Sequence, residues 1–106
     1  QSVEEFPDIW VADNIKFANR AKITDANPQI KDYVWPTVEH VNYMSNDGDA
    51  LRGLLYKPNN FDASKKYPMI VYFYERDSEG LHLHRSPAPS ASTINIPLFV
   101  SNGYIV

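Results

Sequence analysis

The stretch YPMIVYFYERDSEG, from Tyr67 to Gly80, limits most strongly how this chain can fold. Its first part, Tyr67–Tyr74, is a nearly unbroken apolar and aromatic run, the composition of a strand covered on both faces. Charged residues follow immediately, at Glu75, Arg76, Asp77 and Glu79. We predict that Tyr67–Tyr74 is the central strand of a sheet. Its carboxyl end should point towards a functional site whose main chemical groups lie outside these residues.

A β-hairpin is predicted before this run. Val41 and Tyr43 alternate with more polar neighbours, which predicts a strand over Val38–Ser45. Asn46–Asp49 has the Asp-Gly chemistry of a tight turn. A second strand is therefore predicted over Ala50–Lys57, and Pro58 ends it.

The remaining elements are predicted to be short. Breakers bound two brief strands, and a polar connector has room for one or two helical turns. A short helix before Asn102-Gly103 would be stopped by that pair. These elements are strands within Pro7–Asp13 and Ala21–Thr24, helical turns within Gln29–Val34, and a helix over Thr93–Ser101.

Composition excludes several classes of partner. The chain has 106 residues, 43% of them hydrophobic, and a net charge of -3, which indicates a folded domain and no nucleic-acid partner. No apolar stretch reaches the length of a membrane segment. Cysteine is absent, so no disulfide framework or thiolate metal site is expected, and the compartment stays open.

The last residues predict that the chain is a fragment. Tyr104–Val106 opens an apolar strand directly after a turn signal. Strands usually run about 5 to 6 residues, so this one is expected to be cut off. Cut sheet edges favour pairing with another copy, and we therefore predict self-association.

A metal site is the first chemical alternative. No G-x-S-x-G, P-loop, G-x-G-x-x-G or H-E-x-x-H motif is present. His82 and His84 have strand spacing, and Glu75 and Glu79 offer oxygen ligands. Histidines in loops more often form hydrogen bonds with backbone groups or face water. The same interpretation is favoured for His40 on its predicted strand. We predict no metal and no cofactor.

Aromatic residues leave a second alternative open, a surface that stacks on sugars or peptides. Core packing is the favoured interpretation, because tyrosine and tryptophan suit half-buried strands. The residues concerned are Trp10, Tyr33, Trp35, Tyr43, Tyr56, Tyr72 and Tyr74.

Tyr72 and Tyr74 share one face of the predicted central strand, and Tyr74 lies at its carboxyl end. A phenol there can donate a hydrogen bond to an oxyanion, a contribution of about 3 to 4 kcal/mol in a water-poor site. Strand period alone does not choose between the two tyrosines, and packing in the upper sheet is the alternative role.

The order of several motifs resembles the prolyl oligopeptidase family of serine peptidases, most closely its dipeptidyl peptidase IV-like branch. The resemblance spans essentially the whole chain. It rests on Lys22-Ile23-Thr24 with Asn27-Pro28, on Asp47-Gly48 with Leu51 to Pro58, and on Lys66-Tyr67-Pro68 before Met69 to Tyr74.

This resemblance implies an α/β fold, an incomplete α/β-hydrolase sheet preceded by the last strands of a β-propeller. Within the chain itself the expected structure is mostly β with one or two short helices. The implied domains are residues 1–27 for the propeller end, 28–36 for a linker, and 37–106 for the first strands of the hydrolase. Members of the family are commonly secreted or periplasmic. The sequence of residues 1–106 does not itself indicate a compartment.

The resemblance also implies a site. Members carry a tyrosine that helps to form the oxyanion hole at the end of this strand, usually within V-Y-x-G-P, and Tyr74 takes that place. Glu75-Arg76-Asp77 replaces the small residues and proline of the family. In such a charged loop Arg76 would meet a peptide carboxylate, or Glu75 and Glu79 a peptide amino end. The alternative is a charged loop that only faces water.

Three functions are left open by the sequence. The first is a fragment of a serine exopeptidase that removes dipeptides from peptide amino ends, with the Ser, Asp and His triad outside this chain and the fragment inactive by itself. The second is a catalytically dead relative with the same fold. The third is an unrelated β-rich binding module.

Overall fold

The computed structural model describes residues 2–106, and their regular structure is mainly strand with short helical segments. The strands are β1 (Trp10–Ala12), β2 (Arg20–Lys22), β3 (Thr37–Met44) and β4 (Ala50–Lys57). Two 3₁₀ helices cover Pro28–Asp32 and Asp77–His82, and the α-helix α1 covers Ile96–Ser101. The strands form two separate antiparallel pairs, β1 with β2 and β3 with β4.

The β1–β2 pair is held at its base by a carboxylate. Asp8 has a side chain that is only 3% exposed and that is ion-paired with Lys22. Its Oδ1 accepts hydrogen bonds from the Thr24 hydroxyl at 2.7 Å and from the Ala26 amide at 2.9 Å. These donors, the Lys22 ammonium first among them, lower the pKa of Asp8 from 3.8 to about 2.

The β1–β2 hairpin should therefore lose stability in acid. A carboxyl with a lowered folded-state pKa contributes stability above its ordinary pKa, and that contribution disappears as the pH falls from about 4 through about 2. Asp8→Asn should remove this part of the pH dependence, and Asp32→Asn, at an exposed carboxyl, should leave it unchanged. Fluorescence of Trp10 between pH 5 and pH 2, in a Trp35→Phe background that leaves one tryptophan, would measure it. Superimposable curves with and without Asp8→Asn would contradict the assignment.

The β3–β4 hairpin is the most regular part of the molecule. Its register runs from Thr37 opposite Lys57 to Met44 opposite Ala50. The turn closes with the Ser45 amide donating to the Asp49 carbonyl at 2.9 Å. Gly48 has φ of 89°, a left-handed conformation that glycine adopts without strain. The hairpin predicted from the Asp-Gly turn is confirmed.

A third segment extends this hairpin into a mixed sheet. Tyr56 and Val106 exchange both backbone hydrogen bonds, at 2.8 and 3.1 Å, as an antiparallel pair does. On the other side of residues 104–106, Ile105 donates to Pro68 and accepts from Ile70, both at 2.9 Å, and Met69 pairs with Ile105 in parallel. The end of the chain therefore lies between β4 and residues 68–70.

The core lies where β4, α1 and the N-terminal segment meet. Its buried side chains are Val3, Tyr56, Ile96 and Val100, which are 2–7% exposed. Asn95 caps α1 by accepting the Leu98 amide at 3.1 Å. Gly103, with φ of 81°, follows the end of the helix and turns the chain into residues 104–106. The predicted helix is found, although it begins at Ile96 and not at Thr93, and its stop at Asn102-Gly103 is found as well.

The prediction of a central strand covered on both faces is wrong for Tyr67–Tyr74. Within this run, Met69 is the one residue that forms a β-bridge, and no regular strand is present. Ile70 and Tyr72 are half-buried. Met69, Val71 and Phe73 are 59%, 76% and 86% exposed. The alternation expected of a strand is present, but nothing within residues 2–106 covers its second face.

Candidate functional site

The apolar run ends at a sharp change of backbone direction. Tyr74 is 68% exposed. Glu75, directly after it, has φ of 46°, a left-handed conformation that costs a non-glycine residue about 1 to 3 kcal/mol. Arg76 then precedes the second 3₁₀ helix, whose first turn contains Asp77 and Glu79. The structure thus presents Tyr74 at the edge of a charged loop.

The structure distinguishes Tyr72 from Tyr74, which the sequence did not. The Tyr72 hydroxyl donates to the Ser92 carbonyl at 3.2 Å, so it holds the loop before α1. The Tyr74 hydroxyl has no hydrogen-bond partner within the described part of the chain. A free, exposed phenol at the end of the segment is available to a ligand.

The charged side chains around Tyr74 face water. Glu75, Arg76 and Glu79 are all exposed, and none of them forms an ion pair within residues 2–106. Their arrangement offers both signs of charge close to Tyr74 along the chain. It does not bring them together into one preformed cavity.

The second 3₁₀ helix is anchored to the β3–β4 hairpin. His40 on β3 hydrogen-bonds through Nε2 to the Ser78 carbonyl at 3.0 Å, and because a carbonyl can only accept, Nε2 donates. Gly80 is buried. A Cβ at this position would lie 3.1 Å from an Arg85 guanidinium nitrogen and 3.6 Å from the Leu54 side chain. The helix is packed too closely there for a larger residue without movement of its neighbours.

His84 connects the far end of this loop to two distant parts of the chain. Its Nδ1 lies 3.1 Å from the Val3 carbonyl, and its ring contacts Phe6 with centroids 5.3 Å apart. The Trp35 ring contacts it in a tilted arrangement, with centroids 4.9 Å apart, and the Trp35 indole donates to the Ile30 carbonyl at 2.8 Å. Sequence reasoning missed this cluster, because its members lie up to 81 positions apart and share no motif.

The metal alternative gains no support from the geometry. Within residues 2–106, no three His, Cys, Asp or Glu side chains are grouped so that they could hold a metal ion. Of the two candidate histidines, His84 is occupied with Val3 and the aromatic rings, and His82 is exposed.

The aromatic residues divide between core and surface. Tyr56 is 3% exposed, which confirms core packing for that residue. Core packing is wrong for several others, whose side chains the structure places on the surface. These are Trp10, Tyr33, Tyr43 and Tyr74, which are 45%, 65%, 53% and 68% exposed. They do not line a common groove.

An open groove of about 450 Å³ lies away from Tyr74, between the connector and α1. Its lining is mostly apolar and includes three buried prolines, Pro36, Pro58 and Pro97. No charged side chain lines it.

Among residues 2–106, no helix has the length and apolar character needed to cross a membrane.

Comparison with known proteins links half of the chain to one class of peptidase. Over 54 residues, 51% of this chain, the sequence is 35% identical to dipeptidyl peptidase 8 from Mus musculus and from Homo sapiens. The matched part spans 6% of the length of these relatives. No family model matches the chain, and no solved structure matches it. The similarity is to a dipeptidyl peptidase, and it is limited to about half of this chain.

Proposed function

We propose that this chain is part of a serine peptidase that removes dipeptides from the amino ends of peptides. The observation that carries the proposal is the 54-residue similarity to dipeptidyl peptidase 8. The motif order from Lys22 to Tyr74 points to the same family. The nucleophilic serine, its histidine and its aspartate belong to other parts of the full-length protein.

The strand order supports a hydrolase sheet. Residues 104–106 lie between β4, with which they run antiparallel, and residues 68–70, with which they run parallel. The connection from 70 to 104 is long enough for a crossover between parallel strands, and it contains the second 3₁₀ helix and α1. In this proposal residues 37–106 begin an α/β-hydrolase domain, residues 1–27 end a β-propeller, and residues 28–36 link the two.

Tyr74 supplies one chemical function in this proposal. A tetrahedral intermediate of peptide hydrolysis has a negatively charged oxygen, and a fixed phenol that donates to it lowers the barrier. The Tyr74 hydroxyl has no competing acceptor within residues 2–106, which suits that role. Arg76 would bind a substrate carboxylate, and Glu75 and Glu79 would bind a free amino end.

The activity is tested with the full-length product of the gene. Incubated with a peptide that has a free amino end, it should release the N-terminal dipeptide, detected by mass spectrometry. The same peptide with an acetylated amino end should be stable, because the amino group is a recognition element. The 106-residue chain should release nothing from either peptide, since the nucleophile and base must lie within hydrogen-bond reach of each other and this chain supplies no such pair. Release of internal fragments would contradict the proposal.

A catalytically inactive relative is the second candidate. The observation that favours it is Glu75-Arg76-Asp77, which replaces the small residues and proline expected after the tyrosine. A full-length protein that binds the free-amino peptide but releases no dipeptide would identify this case.

The chain by itself should self-associate through its uncovered segment. Met69, Val71 and Phe73 present an apolar surface beside backbone groups that lack a partner strand. Val71→Lys should shift the 106-residue chain towards monomer in sedimentation velocity. Ile15→Lys, at a residue that is 92% exposed in the β1–β2 loop, is the matched control and should not. A monomeric wild-type chain would contradict the prediction.

A further inference from the structure

We propose that His84 is a positioning residue for Tyr74, holding the loop of residues 75–84 against the N-terminal segment and the connector. The inference rests on the proposed function for its catalytic consequence. It assigns a role to a histidine that sequence reasoning left as a loop residue.

The backbone at Glu75 has a strained conformation. A left-handed non-glycine residue persists only where its surroundings hold it, and Glu75 has φ of 46°. No ion pair within residues 2–106 holds Glu75, Arg76 or Glu79. In this proposal, contacts further along the loop supply the constraint.

The loop is fixed at three places, at Ser78, at the buried Gly80 and at His84. The contact of His40 with the Ser78 carbonyl, at 3.0 Å, fixes its middle to β3. His84 fixes its far end through the Val3 carbonyl at 3.1 Å and through the Phe6 and Trp35 rings. Between Gly80 and His84, the Leu83 amide donates to the Gly80 carbonyl at 3.0 Å. This hydrogen bond connects the His84 contacts to the second 3₁₀ helix.

The groups that His84 contacts are themselves held in place. Val3 is 4% exposed and packs in the core with Tyr56 and Val100. Trp35 is tied to the Ile30 carbonyl at 2.8 Å. His84 thus joins the loop after Tyr74 to the core on one side and to the connector on the other. Loss of the imidazole frees the loop end and relaxes Glu75, and the Tyr74 hydroxyl moves.

A double-mutant cycle on the full-length enzyme tests the catalytic consequence. His84→Ala should lower kcat by about tenfold to a hundredfold with little change in KM, because a small misplacement of a catalytic group has effects of this size. In a Tyr74→Phe background the same change should have less than about a twofold effect, since no hydroxyl is left to misplace. His84→Asn, which retains an amide donor near Nδ1, should recover part of kcat. His82→Ala, at the exposed neighbouring histidine, is the control. Equal effects of His84→Ala in both backgrounds would overturn the proposal.

Hydrogen exchange tests the anchor independently of activity. His84→Ala should speed exchange of the amides in residues 75–84, including Leu83, by more than about tenfold, as expected when a local contact that limits opening is lost. His82→Ala should not. Unchanged exchange in His84→Ala would overturn the proposal whatever the activity. An inactive wild-type protein would contradict the proposed function alone, and the exchange result would still decide whether His84 holds the loop.

Discussion

Tyr74→Phe in the full-length enzyme should lower kcat for dipeptide release by about a hundredfold to a thousandfold, the usual effect of removing one oxyanion donor. The change deletes only the hydroxyl. That hydroxyl has no hydrogen-bond partner within the described chain, and the Tyr74 residue is 68% exposed. KM should change little, because the contact is made in the transition state. Steady-state kinetics on a chromogenic dipeptide substrate measures both constants.

Tyr72→Phe is the matched control for this prediction. It also deletes a phenolic hydroxyl, and it removes the hydrogen bond to Ser92 at 3.2 Å without touching Tyr74. Its kcat should stay within about threefold of the wild type, since an exposed neutral hydrogen bond contributes only about 0.5 to 1.5 kcal/mol, and to folding rather than to the reaction. A larger loss of kcat in Tyr72→Phe than in Tyr74→Phe would contradict the prediction and assign the oxyanion role to Tyr72.

Tyr56→Ala should destabilise the 106-residue chain by about 3 to 5 kcal/mol, the range for truncating a large aromatic side chain in a core. Tyr56 is 3% exposed and packs with Val3, Ile96 and Val100. Its backbone also pairs with Val106, so the cavity would lie at the junction of β4 and the last segment. Urea unfolding at one fixed protein concentration measures the change in free energy of unfolding.

Tyr56→Phe should not lower the free energy of unfolding. The Tyr56 hydroxyl is buried and has no hydrogen-bond partner within residues 2–106. Removing an unsatisfied buried group relieves its desolvation penalty, so Tyr56→Phe should be as stable as the wild type or more stable by up to about 1 kcal/mol. A destabilised Tyr56→Phe chain would show that the hydroxyl has a partner in solution.

Local signals were sufficient for the β3–β4 hairpin and for α1. The Asp-Gly turn needs only Gly48 with its φ of 89°, and α1 is bounded by the Asn95 cap and by Gly103. Both depend on residues adjacent in sequence, which explains why pattern reasoning finds them. The antiparallel β1–β2 pair was anticipated as two strands, but the Asp8 carboxylate that holds it has no sequence signature.

Pattern reasoning failed where the outcome depends on distant partners. The apolar run of Tyr67–Tyr74 predicts a strand with two covered faces, but coverage requires elements that residues 2–106 do not supply, and Phe73 is 86% exposed. The His84 cluster depends on Val3, Phe6 and Trp35, which no local pattern connects to it. The roles of Tyr74, Glu75, Arg76 and Glu79 stay predictions.

Labelling the full-length protein with a fluorophosphonate tests the central claim most directly, because the reagent forms a covalent bond with the activated serine of a serine hydrolase. We predict one labelled serine, mapped by mass spectrometry to a peptide outside residues 1–106, with dipeptide release lost as labelling proceeds. The absence of a labelled serine, or a label on a serine within residues 1–106, would contradict the account.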